Sequence, residues 1–304
     1  MSNLVEKIEK LKKERNAVIL AHNYQIGEVQ DIADYTGDSL GLSVQAAQTK
    51  ADVIVFCGVL FMAETAYILS PDKTVLLPEK NAGCPMADMI TAADLQKLKD
   101  QHPDALVVTY VNSPAEVKAL SDYCCTSGNA VELVSTLPKD RKIIFCPDQH
   151  LGSYVMQQTG REMILWPGYC PTHVRITSED VEAAKNQHPG AVVLTHPECS
   201  SDVKRASDEL LSTGQMIKYA ENSDVKKFII VTEQGILHTL RKKMPNKEFI
   251  GVSDKMICPN MKKIDLAKVA WSLEDMKHQI TVPDEIRIKA KGSLDRMLEV
   301  LPKK

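Results

Sequence analysis

The sequence predicts an α/β protein: three pseudo-threefold-related, three-layer αβα domains with parallel sheets, set around a common centre. Three observations carry this expectation. First, Cys84-Pro85, Cys170-Pro171 and Cys258-Pro259 stand 86 and 88 residues apart. Second, the text upstream of each pair recurs. Glu14-Arg15-Asn16-Ala17 leads into a run ending at His22, Gln101-His102-Pro103-Asp104-Ala105 into one ending at Tyr110, and Gln187-His188-Pro189-Gly190-Ala191 into one ending at His196. Farther on, Asp34, Asp122 and Asp208 each precede a hydroxyl residue (Ser39, Ser127, Thr213) by the same interval. Third, short β-branched runs alternate with amphipathic stretches, the pattern of buried parallel strands covered by helices. The domains so defined are 1–90, with 265–304 packing back on it, then 91–176 and 177–264.

Each repeat opens with a helix of 3.6-residue periodicity: Leu4, Ile8 and Leu11 in the first, Leu95 and Leu98 in the second, Val181 and Ala184 in the third. Thr91 and Ser178 stand where helix N-caps are expected. A first strand follows (Val18-Ile19-Leu20, Val107-Val108-Thr109, Val192-Val193-Leu194), then a short helix, a Ser/Thr loop and a further helix. A second strand (Val53–Phe56, Ile143–Phe145, Phe228–Val231) and a third (Thr74–Leu77, Met163–Leu165, Glu248–Ile250) complete each unit before its cysteine-proline loop. Ser2 to Arg15 is charged and amphipathic, without the apolar centre of a signal peptide.

Composition narrows the function. The 304 residues are 44% hydrophobic and 25% charged, ordinary for a globular protein with substantial cores. Net charge is −3 with no long basic run, which argues against nucleic acid and anionic membranes as partners. No apolar stretch approaches the ~18 residues that cross a bilayer. The expected location is cytoplasmic, where the eight cysteines stay reduced.

Ligands of open parallel sheets bind beyond the carboxyl ends of strands. The first strands end at His22-Asn23-Tyr24, Tyr110-Val111-Asn112 and His196-Pro197-Glu198, so capable side chains fall at matched positions. Ser39, Ser127 and Thr213 lie just before helices, where hydroxyls and orphan N–H groups hold anions; three plain N-caps are the alternative. One cysteine per repeat, each fixed by the following proline, supplies three thiolates and no fourth ligand. Three thiolates on a cubane leave one iron open, a Lewis-acid site rather than an electron carrier. Cys57, Cys146 and Cys199 read instead as buried core thiols; Cys146-Pro147 has no counterpart in the third repeat, where Thr232 stands.

The combination resembles the quinolinate synthases. The matching text is His22-Asn23-Tyr24-Gln25 with Asp31-Ile32-Ala33-Asp34 and Gly37-Asp38-Ser39, Tyr110-Val111-Asn112-Ser113, Thr126-Ser127-Gly128-Asn129-Ala130, Cys170-Pro171-Thr172-His173, His196-Pro197-Glu198-Cys199, Ser212-Thr213-Gly214 and Cys258-Pro259-Asn260-Met261. The resemblance spans nearly the whole chain. It implies three α/β domains around a [4Fe-4S] cluster held by Cys84, Cys170 and Cys258. It further implies condensation of iminosuccinate with dihydroxyacetone phosphate to quinolinate, releasing phosphate and water, on the way to NAD, with functional coupling to an enzyme that supplies iminosuccinate. Within that reading Glu198, Tyr24, His22, His196 and Tyr110 are the catalytic candidates. Tyr24 covers the site from a mobile loop. Substrate is held by His22, Ser39, Tyr110, Val111, Asn112, Ser127, His173, His196, Pro197, Glu198 and Thr213. Three rivals keep part of this plan: another three-cysteine [4Fe-4S] enzyme of the diphthamide or diphosphate-reductase type, a non-catalytic iron-sulfur sensor, and a zinc-stabilised structural protein.

Overall fold

A computed structural model describes residues 2–300. The first sheet contains β1 (Ala17–His22), β2 (Tyr35–Gly37), β3 (Val53–Cys57) and β4 (Thr74–Leu76). The second contains β5 (Leu106–Tyr110), β6 (Tyr123–Cys125), β7 (Ile143–Cys146) and β8 (Ile164–Leu165), and the third β9 (Val192–Thr195), β10 (Glu209–Leu210), β11 (Lys227–Val231) and β12 (Glu248–Gly251). All three sheets are parallel and share one order, second-first-third-fourth in chain sequence. The central strands β3, β7 and β11 are apolar and buried apart from Lys227 at the start of β11, as a sheet covered on both faces requires.

The edge strands β2, β6 and β10 were not expected; the sequence reads them as the Ser/Thr loop. They are two or three residues long, too short for an alternation to show. What holds them is the repeated aspartate. Asp34 Oδ2 accepts the Ile19 N–H, Asp122 Oδ2 the Val107 N–H and Asp208 Oδ2 the Val193 N–H, each at 2.8 Å. The same three aspartates donate their own N–H groups to the carbonyls of Ile19, Val107 and Val193. The repeat therefore preserves this residue to pin the edge strand to the central one, a structural task.

The covering helices of the first unit are α1 (Ser2–Glu14), α2 (Gly27–Asp31), α3 (Ser39–Gln48) and α4 (Leu60–Leu69). Those of the second are α5 (Ala92–Gln101), α6 (Ala115–Ala119), α7 (Ala130–Thr136) and α8 (Gln149–Thr159). The third has α9 (Ser178–Gln187), α10 (Ser201–Arg205), α11 (Thr213–Asn222) and α12 (Ile236–Lys243). Thr91 caps α5 through the Asp94 N–H. The cap of α9 is Thr177 rather than Ser178, because Thr177 and Asp180 close a capping box that fixes the start one residue earlier.

Two helices follow, α13 (Leu266–Asp275) and α14 (Asp284–Glu299). The first lies on α1 and β3. The second packs on α6 and β6 of the second unit as well as on α4. Arg296 Nε donates to the Asp122 carbonyl at 2.6 Å and Ser293 Oγ to the Lys118 carbonyl at 2.9 Å. The tail thus joins the first two units rather than resting on the first alone, and one continuous core runs through both. Met1 and residues 301–304, at the ends of the spans assigned to the first domain, lie outside the described residues. No helix among the described residues is long and apolar enough to cross a membrane.

Candidate active site

The carboxyl ends of the three sheets face one cavity of about 150 Å³. Each first strand breaks into a turn or bend at this end, and the same positions of the three turns reach the cavity. His22 and Tyr24, Tyr110 and Asn112, and His196 and Glu198 line the cavity, whereas the residues between them do not. Val111 is buried against the α3–α4 side and Pro197 is buried behind the wall, its carbonyl accepting from Lys204.

Ser39, Ser127 and Thr213 also line the cavity, and none is a helix cap. Asp38 caps α3, Asn129 stands at the start of α7, and Ser212 caps α11 in a capping box with Gln215. Asp38 and Ser212 do the capping of α3 and α11, and α7 starts without a side-chain cap, which leaves the three hydroxyl residues to the cavity lining. Thr213 Oγ1 accepts from Asn23 Nδ2 at 3.2 Å, and Ser127 Oγ lies 3.1 Å from His196 Nε2.

The eight cysteines divide by burial. Cys57, Cys124, Cys125, Cys146 and Cys199 are fully buried in the cores. Cys84, Cys170 and Cys258 are half-buried and line the cavity, one from each unit. All three sit in the same local structure, a turn entered through cysteine-proline whose next N–H groups point back at the sulfur. Met86 and Ala87 do this for Cys84, His173 for Cys170, and Asn260 and Met261 for Cys258. Burial pushes the Cys84 thiol up to about 12, with the charges of Cys258 and Glu198 adding to the rise. Burial likewise raises Cys170 and Cys258. Three thiolates at one cavity therefore need a cation between them, and this donor set suits a metal cluster.

A second group, Cys170, His173 and Glu198, has ligand atoms within 4.8 Å of one another. Its members are engaged with each other and with neighbours. Tyr110 donates its hydroxyl to Glu198 Oε1 at 2.5 Å, His173 Nδ1 lies 2.7 Å from Glu198 Oε2 without the alignment of a hydrogen bond, and His173 Nε2 lies 2.8 Å from Thr232 Oγ1. The Tyr24 hydroxyl meets the same Thr232 Oγ1 at 2.5 Å, and the His173 and His196 rings stack 4.8 Å apart. These groups form one buried polar network, with the three cysteines of the cavity beside it.

Electrostatics separate the roles. Burial on its own raises the Glu198 carboxyl, but the charges of His173 and His196, together with the hydrogen bond from Tyr110, outweigh it and hold the group below the usual carboxylate range. Asp148, missed in the sequence, is buried nearby at φ 74° and caps α8 through the Leu151 N–H. Burial and then the Glu198 charge push it well above its ordinary value. Of the two carboxyls, Glu198 carries the charge.

The main-chain N–H of Tyr24 donates to His22 Nδ1 at 3.1 Å and that of Glu198 to His196 Nδ1 at 3.3 Å. Both rings are thereby set as neutral imidazoles with the proton on Nε2. Burial, aided by the neighbouring His196, pushes His22 down to about 3, and burial pushes His196 to about 3 against the pull of Glu198. The unfolded chain protonates these rings near 6.5 and the folded one does not, so their contribution to stability is present above 6.5 and is lost as pH falls from there toward 3. His22→Asn keeps an acceptor at the Nδ1 position and removes the titration. Urea unfolding between pH 6.5 and 4 is expected to show a slope shallower than wild type by up to ~1.4 kcal/mol per pH unit; equal slopes would show that His22 titrates normally.

The Tyr24 loop is held rather than loose. Gln30 Nε2 donates to the carbonyls of Asn23, Gln25 and Gly235, and Lys262 Nζ donates to the Tyr24 carbonyl at 2.5 Å. A Cβ on Gly235 would come within 2.7 Å of the Tyr24 backbone, so only glycine permits this approach. Lys262 is paired with the buried Glu233 at 2.8 Å, and Glu233 in turn accepts the N–H groups of Cys258 and Gly235. Glu233, Asp38 and Arg175 line the cavity although their residue types do not recur at the matched positions of the other repeats.

Comparison with known proteins decides the family. The family model for quinolinate synthetase A protein matches residues 6–299. The chain belongs to the quinolinate synthetase A family. It is similar to the quinolinate synthase of Dehalococcoides mccartyi (strain CBDB1), 56% identical over 295 residues and 97% of each chain. It is also similar to those of Pelobacter propionicus (strain DSM 2379 / NBRC 103807 / OttBd1), at 55% over 300 residues, and of Methanosarcina barkeri (strain Fusaro / DSM 804), at 54% over 299 residues, each alignment covering 98% of both chains. The resemblance read from the sequence is thereby established, and membership of this family makes the chain an enzyme.

Proposed function

We propose that the chain is a quinolinate synthase that condenses iminosuccinate with dihydroxyacetone phosphate, releasing phosphate and two waters, with a [4Fe-4S] cluster held by Cys84, Cys170 and Cys258. The observation that carries this reading is the shared cavity, where one half-buried thiol from each unit lies beside the Tyr110–Glu198–His173 network. When bound through three thiolates, the cluster supplies a Lewis acid at its remaining iron.

The chain's own groups bind and orient the rest. His22 and His196 present Nε2–H donors at neutral pH, and Ser39, Ser127 and Thr213 add hydroxyls, so the carboxylates of a four-carbon acid are met by neutral dipoles. Asn112 Oδ1 is buried without a partner, an acceptor suited to an N–H of the imine substrate. Tyr24 and Tyr110, both held well above their ordinary pKa by burial and then by the Glu198 charge, stay neutral; Tyr110 keeps its proton on Glu198, and Tyr24 donates to a substrate oxygen. Glu198 moves the proton between carbons in the ketose-to-aldose step and in the dehydrations. At its depressed pKa it is a weak base, but an anionic substrate alongside raises it toward the working range.

The test is direct. Protein purified without oxygen, supplied with oxaloacetate plus ammonia as the source of iminosuccinate and with dihydroxyacetone phosphate, is expected to form quinolinate only when both are present. Iron- and sulfide-replete protein that forms none would overturn the proposal; reversible redox cycling without consumption of either substrate would point to the sensor instead.

A further inference from the structure

Among the described residues, Arg175 is the only lysine or arginine lining the cavity. The other charged groups there are Asp38, Glu198 and Glu233, and Glu233 is already paired with Lys262 outside the lining. Arg175 ends the single helical turn His173–Arg175 that follows Cys170-Pro171, so its backbone is fixed by the same turn that places His173. Its side chain is exposed, which puts it at the cavity mouth. Among the described residues it has no hydrogen-bond or ion-pair partner.

Nearby basic residues differ on this point. Lys262 is held by Glu233 and the Tyr24 carbonyl, and Lys204 by the carbonyls of His150 and Pro197. The positions matched to Arg175 in the other repeats are Met89 and Lys263, and Lys263 donates to the Asn81 carbonyl. Of the three, only Arg175 offers an uncommitted cation to the cavity.

We propose that Arg175 binds the phosphate of the phosphorylated triose, an inference that rests on the condensation reading above. The deep wall of hydroxyls and neutral imidazoles suits carboxylates but gives no full positive charge to balance a phosphate monoester dianion. A guanidinium meets two phosphate oxygens at once in a fixed plane. The mouth is also the fitting end: phosphate is the most strongly hydrated part of the substrates and the group that leaves. Holding it there avoids drying it and opens its exit to solvent, while the carbon to be joined points inward to Glu198 and Tyr110.

The experiment compares Arg175→Gln and Arg175→Lys with wild type in steady-state assays in which each substrate is varied in turn. Loss of a charge-assisted bidentate contact is expected to raise KM for dihydroxyacetone phosphate roughly 10- to 100-fold. KM for the imine, the cluster absorbance and the melting temperature stay as in wild type. Lysine restores part of the loss. Inorganic phosphate, competitive with the triose phosphate for wild type, loses potency by a similar factor against the glutamine variant. An unchanged KM for the triose phosphate in an active glutamine variant, or equal increases for both substrates, overturns the assignment. Should wild type form no quinolinate, the condensation reading fails by itself. Calorimetric titration with inorganic phosphate then still tests Arg175: binding by wild type that the glutamine variant loses supports it, and equal or absent binding in both sinks it.

Discussion

Replacing Glu198 by Gln is expected to lower turnover by at least ~10²-fold, the lower bound for a positioned acid-base group, with iron and sulfide content unchanged. Glutamine keeps the volume and an oxygen for the Tyr110 hydroxyl, so the wall is not disturbed. It removes the charge that His173 faces at 2.7 Å and the one carboxylate of the network positioned to take up a proton. Asp148 does not replace it, because burial keeps that group protonated and its Oδ1 is committed to the Leu151 N–H. The loss belongs in kcat more than in KM, since substrate carboxylates are held by the histidines and hydroxyls. A variant with wild-type kcat would remove Glu198 from the chemistry.

Single changes of Cys84, Cys170 or Cys258 to Ser are expected to have the other large effect. Each takes one of three thiolates from a site with no local cysteine pair to make up the loss, so cluster absorbance and turnover fall together to background. The control is Cys146→Ser. Cys146 is also followed by proline, but it is fully buried at the end of β7, with Thr109 Oγ1 3.4 Å from its sulfur. That substitution costs packing and is expected to leave the iron content intact. Loss of iron in Cys146→Ser, with retention in Cys170→Ser, would place the metal elsewhere.

The repeat made most of this legible. Matched text located the central strands and the strand-end residues of all three units, because buried parallel strands are written as apolar runs and the same geometry recurs. The edge strands escaped notice because two or three residues carry no periodicity; their signal was the repeated aspartate, whose partners are backbone groups that a sequence does not display. Val111 and Pro197 were read with their neighbours as one stretch, and the bend after β5 and the turn after β9 leave them out of the cavity lining. Asp148, Arg175 and Glu233 went unread for the opposite reason. Each is unique to one repeat, so comparing the repeats, which found the histidines and cysteines, filtered them out. The tail joins two units because Ser293 and Arg296 find carbonyls on the second, a pairing that helical periodicity does not reveal.

The central claim is that sulfurs from three units hold one cluster at the cavity where the substrates bind. Mössbauer spectra of iron-57 protein, prepared without oxygen and recorded with and without malate as a four-carbon dicarboxylate, test it most directly. The account predicts four irons per chain, with one shifted by the dicarboxylate and three unmoved. Four irons indifferent to the added acid, or a site filled by zinc, would contradict it.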